Sequence, residues 1–251
     1  MKQSLEGKVV LVVGGAGSIG AVTAEKFAEL GGRVAISHRD VSEEAAAAAK
    51  VVQSLPGSGH AALIADVART DTLKTLRAGI ERQFGRLDVL VNAAGFTKPV
   101  PHADLEALDD DLIDRMFAVN WRGQFASIRT FAPLLKASGD GLIVSISSIA
   151  GTNGIGSSIA YCAAKAGIDV MTKSLARVLA PEVRVLAIAP GVVDTSFVPG
   201  RGADFNAKTA ATTPLKRIAT PEDIASAILA CATQLGFATG TTLVVDGGRS
   251  L

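Results

Sequence analysis

The chain has 251 residues, with 25 Lys and Arg against 24 Asp and Glu and a formal charge of +1. This balance, without a block of like charge, gives no footprint for nucleic acid or an anionic membrane, and two cysteines, Cys162 and Cys231, cannot build a disulfide framework. No apolar run reaches the ~20 residues that span a bilayer, residues 1–7 lack the apolar core of a secretion signal, and His38, His60 and His102 have no metal-ligand spacing, so a cytoplasmic protein without a catalytic metal is expected.

Residues 8–13 are a β-branched run that reads as a buried strand. Gly14-Gly15-Ala16-Gly17-Ser18-Ile19-Gly20 follows at once, and helical character over 21–30 stops at Gly31-Gly32. Strand, glycine turn and helix form the setting of a dinucleotide site, and Gly15-x-Gly17-x-x-Gly20 fits its fingerprint: absent side chains let the backbone approach a pyrophosphate at the helix N-terminus. A second strand over 33–37 leads into His38-Arg39-Asp40. The residue beyond such a strand reads the adenosine ribose, an acid for a free 2′-hydroxyl and a base for a 2′-phosphate. His38 stands where the acid is expected and Arg39 follows, which favours NADP(H); Asp40 keeps NAD(H) open.

A helix over 42–55, a loop at 56–59 and a third strand over 61–65 follow, ending at Asp66-Val67, where a carboxylate can accept from an adenine amino group. A helix over 71–84 leads to a fourth strand over 88–91 and to Asn92-Ala93-Ala94-Gly95, small residues that leave room for a ligand at the sheet crevice. After a loop over 96–108, residues 109–135 read as one long helical stretch interrupted by Asn120, which competes for backbone bonds.

The fifth strand ends in Ser147-Ser148, and a helix over 161–179 starts at Tyr161, the single tyrosine of the chain, with Lys165 one turn later on the same face. A free phenol has a pKa of about 10 and is a poor acid or base near neutrality; a neighbouring cation lowers it. A hydroxyl, a phenol and an ammonium together equip a site to move a proton on or off a carbonyl or alcohol oxygen. A sixth strand over 183–188 ends at Ala189-Pro190-Gly191, with Thr195 just beyond. Residues 196–213 show no period and many small polar residues, and read as a loop-like lid. A helix over 222–232 and a strand over 241–245 complete the pattern. Strands alternate with helices and no linker divides them. The fold class is therefore α/β, a single doubly wound domain over 1–251 with a mostly parallel sheet.

These motifs, in order, resemble those of the short-chain dehydrogenase/reductase family, and the resemblance runs from Gly7 to Gly248. In the family's TGxxxGxG motif Gly14 and Gly20 match, while Val13 replaces the threonine and Ser18 the middle glycine. Asn92-Ala93-Ala94-Gly95 is similar to its NNAG element, and Val245-Asp246-Gly247-Gly248 to its C-terminal VDGG. The resemblance implies a catalytic tetrad of Asn120, Ser148, Tyr161 and Lys165. It implies cofactor contacts from Gly14, Ser18, Ile19, Gly20, His38, Arg39, Asp66, Val67, Asn92, Ala93, Gly95, Tyr161, Lys165, Pro190, Gly191 and Thr195. It also implies a seven-stranded sheet and a homotetramer.

The expected reaction is hydride exchange between NADP(H) and the carbonyl or secondary alcohol of a small molecule, with Asn120 supporting a water that relays protons through Lys165. A 3-oxoacyl-(acyl-carrier-protein) reductase is the alternative substrate class, weakened by Pro181-Glu182 where such reductases offer an arginine to their acidic carrier. A non-catalytic nicotinamide-binding redox sensor is the alternative of another kind; it would have no use for Tyr161 with Lys165.

Overall fold

The alternating strand and helix patterns fold in the computed structural model, which describes residues 4–251, into one parallel sheet with helices on both faces. Met1 to Gln3, part of the N-terminal stretch weighed above for a secretion signal, lie outside the described residues. The strands are β1 (Val9–Val13), β2 (Arg33–His38), β3 (Ala61–Ile64), β4 (Val89–Asn92), β5 (Gly141–Ile146), β6 (Val183–Pro190) and β7 (Thr241–Val245). They pair in parallel in the order β3-β2-β1-β4-β5-β6-β7, a seven-stranded sheet. The order reverses between β1 and β4, and the crevice at the carboxyl ends of these strands is where such a sheet takes a ligand.

Burial on both faces explains the unbroken Val, Ile and Leu runs, since a parallel strand has no solvent side. One face is covered by α1 (Ser18–Glu29), α2 (Ser42–Ser54) and α9 (Pro221–Thr233), packed on Val10, Val12, Ile36, Val91 and Ile188. The other is covered by α3 (Thr70–Phe84), α5 (Gly123–Ala137) and α7 (Ile159–Leu179), packed on Leu11, Val13, Leu90, Ile143 and Val185. Among the described residues no helix is long and apolar enough to cross a membrane.

Two expectations change. The long helix over 109–135 is instead α4 (Asp110–Phe117), a π-helical turn at Ala118–Arg122, and α5. Asn120 makes the interruption worthwhile: its Nδ2 donates to the Met116 carbonyl at 2.9 Å and the Phe96 carbonyl at 2.8 Å, and its Oδ1 accepts from the Phe96 N–H at 3.1 Å. The lid is not structureless, because α8 (Ala203–Thr212) forms within it. Its Ala-rich sequence is helix-favouring in itself, and only Thr209 is buried, so no apolar period announces it. A short helix, α6 (Ala150–Asn153), also fills the link between β5 and α7.

Asp88 fastens the amino ends of the two central strands. Its side chain is buried and accepts from the Val9 N–H at 2.9 Å, while Arg86 and Lys8 reach it from the surface at 2.6 Å and 3.3 Å. Removing a buried carboxylate strands both the amide and the charges it held. Asp88→Ala is expected to cost about 3 kcal/mol, read as a lower urea midpoint at unchanged slope, with Asp88→Asn losing about half as much.

Candidate active site

The sheet crevice opens into a cavity of about 1320 Å³. Pockets for drug-sized ligands run to about 1,000 Å³, so the space suits a dinucleotide together with a small substrate. At one end the turn after β1 meets α1. Gly14 lies at φ +80°, and a Cβ there would stand 2.7 Å from the Ala94 backbone; a Cβ on Gly20 would stand 2.4 Å from the Gly14 carbonyl. Both glycines are therefore needed for the turn to close. Ser18, Ile19 and Gly20 begin α1, whose N-cap Gly17 gives no side-chain bond, so the first-turn amides stay open to the cavity. Such amides suit a pyrophosphate, and the donor set fits a dinucleotide. Gly15 does not share this role: its missing Cβ makes room for Ile36, and it does not line the cavity.

At the end of β2, His38 and Arg39 line the cavity and Asp40 does not. Arg39 is held by Glu44, with Nε donating to Oε1 at 2.9 Å, Nη2 bonded to the same oxygen, and the Arg39 N–H donating to Oε2 at 2.9 Å. This pairing raises the arginine pKa and lowers that of the carboxyl. Asp66 and Val67 stand beside them, one Asp66 oxygen accepting from the Ala68 N–H at 2.9 Å.

The chemical end is built by β5 and α7. Ser158 caps α7, its Oγ accepting from the Tyr161 N–H at 3.2 Å, which starts the helix at the turn that carries the phenol. Lys165 is 3% exposed, and its Nζ donates to the Ile146 carbonyl at 2.7 Å. Ser147 Oγ donates back to the Lys165 carbonyl at 3.2 Å. Ser148, Tyr161 and Lys165 thus share one cavity with Pro190 at the end of β6, Gly191 and Thr195 beyond it, and Ala93 and Gly95 beyond β4. Tyr161 lines the cavity and is part-buried, and burial of its phenol pushes it up to about 12, against the weaker pulls of the Ser148 hydroxyl and the Arg201 charge. Burial also brings the Lys165 ammonium down to about 8. The expected lowering of the phenol by Lys165 is absent here: the ammonium lies 5.6 Å from the ring centre and is committed to Ile146.

Two expected site residues do not reach the cavity. Asn92 lies in β4 on the side of α5, fully buried, with Nδ2 donating to Ser145 Oγ at 3.4 Å. The amide of Asn120 is spent on Phe96 and Met116, so its side chain anchors the loop after β4. Conversely, Phe197, Arg201, Phe205 and Arg249 line the cavity, the Phe197 ring 6.3 Å from that of Tyr161. Phe197 and Phe205 stand out in the sequence as the bulky residues of an otherwise small and polar segment, without indicating a role, and Arg201 is marked there only by its place between Gly200 and Gly202.

A family model described as enoyl-(acyl carrier protein) reductase matches residues 14–250. The chain is 38% identical over 252 residues to cis-4-hydroxycyclohexanecarboxylate dehydrogenase of Sinomonas cyclohexanicum, covering 99% of this chain and 98% of that one. It is 33% identical over 247 residues to 3-oxoacyl-[acyl-carrier-protein] reductase of Thermotoga maritima, covering 97% and 98%. The solved short-chain dehydrogenase/reductase of the glucose/ribitol dehydrogenase type from Brucella melitensis superposes with a TM-score of 0.89 at 30% identity, covering 99% of each chain. With the fold and the wall of Ser148, Tyr161 and Lys165, these likenesses identify the chain as an oxidoreductase of CH–OH groups that belongs to the short-chain dehydrogenase/reductase family.

Proposed function

We propose that the whole chain acts as one catalytic domain that interconverts a small ketone and its secondary alcohol with NADP(H). The observation that carries this is the meeting of Ser148, Tyr161 and Lys165 on the wall of the cavity that the open amides of α1 also face. Ser18, Ile19 and Gly20 would hold the pyrophosphate, Asp66 and Val67 the adenine, and Pro190, Gly191 and Thr195 the nicotinamide amide. When bound, a reduced nicotinamide supplies the hydride that forms the new C–H bond on the carbonyl carbon. Ser148 receives the carbonyl oxygen by a hydrogen bond, and the Tyr161 phenol gives that oxygen its proton. Lys165, once released from the Ile146 carbonyl, would return positive charge to the phenolate left behind, and Asn120 acts as a positioning residue that holds the loop of Phe96 against the site.

A proton donor contributes about a hundredfold or more to rate. Tyr161→Phe is expected to lower kcat by at least that factor while cofactor affinity stays near the parent value; unchanged turnover would remove Tyr161 from the reaction. The pH dependence follows from the shifts. A phenol raised to about 12 stays protonated at neutral pH, so alcohol oxidation, which needs the phenolate, rises with pH through the alkaline range. Carbonyl reduction holds to about pH 8, where Lys165 loses its proton, and falls above it. Profiles of kcat/KM in both directions read these groups in the free enzyme.

The preference for NADP(H) is supported by Arg39 on the cavity wall and by the absence of Asp40 from it. Glu44 holds the guanidinium in place but also sets a negative charge beside the 2′-phosphate position. A charge-assisted bond is worth about 10- to 100-fold in affinity. Fluorescence titration is expected to show NADPH bound more tightly than NADH by a factor in that range. Arg39→Ala should erase the preference, and Glu44→Gln should move the NADPH-to-NADH ratio further toward NADPH. Tighter binding of NADH by the parent protein would refute the role of Arg39.

A homo-oligomer, a tetramer by family likeness, is part of the same reading. It is supported by Val170 and Val178, exposed on one stripe of α7, and by Val244 on the edge strand β7. A mass of four chains by light scattering is the expected result, and a monomer would refute it.

A further inference from the structure

The cavity wall is divided by charge. Around Arg39 it carries Glu43, Glu44 and Asp66; around Tyr161 it carries Arg115, Arg201 and Arg249 and no carboxylate. Among the described residues none of these three arginines has a carboxylate within 4.0 Å, although most other ion pairs of the chain are made by arginines. They rest on other groups: the Arg115 guanidinium lies 4.2 Å from the centre of the Phe96 ring, that of Arg201 4.5 Å from Phe205, and Arg249 donates to Thr212 Oγ1 at 3.2 Å. Arg201 and Arg249 are near enough to repel, and Arg201 is near enough to Tyr161 to act on the phenol. Arg115 is exposed, but Arg201 and Arg249 are part-buried, and like charges gathered there without a counter-ion are unfavourable unless an anion joins them.

We propose that Arg201, together with Arg249, binds an anionic group of the substrate, so that the substrate is an oxo or hydroxy acid whose carboxylate is held under the lid while its carbonyl meets Ser148 and Tyr161. This rests on the reaction proposed above and names its substrate class. Phe197, Phe205 and Val198 supply apolar contact for the carbon skeleton between the two ends. A phosphate on a pantetheine arm would also be anionic, but it lies many bonds from the reacting carbonyl, whereas Arg201 lines the same cavity as Tyr161 and is near enough to act on its phenol. The geometry therefore favours a carboxylate on a small molecule.

The test compares levulinate with methyl levulinate, and oxocyclohexanecarboxylate with its methyl ester, using the full chain and its preferred cofactor. The cofactor-loaded protein is also titrated with benzoate and benzamide as unreactive probes. The acids are expected to exceed their esters in kcat/KM by about 10- to 100-fold. Arg201→Gln should bring that ratio toward one and abolish benzoate binding without changing that of benzamide, and Arg201→Lys should retain part of both. Equal turnover of acid and ester overturns the proposal and leaves the oxidoreductase reading standing, as does benzoate binding that survives in Arg201→Gln. Failure to turn over any carbonyl or alcohol overturns the reaction instead, and the benzoate titration still decides the role of Arg201. A preference for acetoacetyl-CoA over the neutral acetoacetyl-N-acetylcysteamine that persists in Arg201→Gln would place the recognised anion elsewhere and overturn the assignment.

Discussion

A buried cation holds the chemical end of this molecule together. The Lys165 ammonium, 3% exposed, bonds the carbonyl of Ile146, the last residue of β5. Bringing its pKa from 10.5 to about 8 corresponds to roughly 3 kcal/mol against the charged form. That cost is tolerable because the bond does structural work: with Ser147 Oγ on the Lys165 carbonyl, it pins the end of the central strand to the middle of α7. Ser148 follows the strand and Tyr161 sits one turn before the lysine, so a single anchored contact sets where both hydroxyls stand.

The same burial sets the proton chemistry. Both groups move toward their neutral forms, the phenol up to about 12 and the ammonium down to about 8. Only a group that stabilises charge at the phenol can make proton transfer reversible near neutrality. Among the protein groups Ser148 and Arg201 act in that direction, and Lys165 is turned to Ile146. On the proposed reading the tyrosine serves as a proton store, with charge stabilisation supplied by the Ser148 hydroxyl and the Arg201 charge.

Much of this was legible in the sequence. The seven strands follow from apolar β-branched runs that a doubly covered sheet demands, and the pairing of Tyr161 with Lys165 follows from helical spacing. What was not legible depends on long-range partners. The π-helical turn exists because Asn120 reaches Phe96, 24 residues away in sequence. Asn92 sits at the expected strand end, but its register places it on the face of Leu90, toward α5 and away from the cavity. The helix α8 buries too little to imprint a period. Lys165 was expected to act on Tyr161 because spacing reports nearness along a helix and says nothing of a competing carbonyl on a neighbouring strand.

Two arginines of the cavity show how a partner changes what a charge can do. Arg39 is already matched to Glu44, so an incoming phosphate must share the guanidinium and the gain is the difference between two pairings. Arg201 has an aromatic face beneath it and no carboxylate, so an anion arriving there adds a pairing without displacing one. On the proposed reading, equal charges on one wall differ in use: the first would discriminate between cofactors of similar structure, while the second would contribute its full attraction. On that reading the attraction acts in the same cavity as Tyr161, which would couple the holding of an acid to the orientation of its carbonyl.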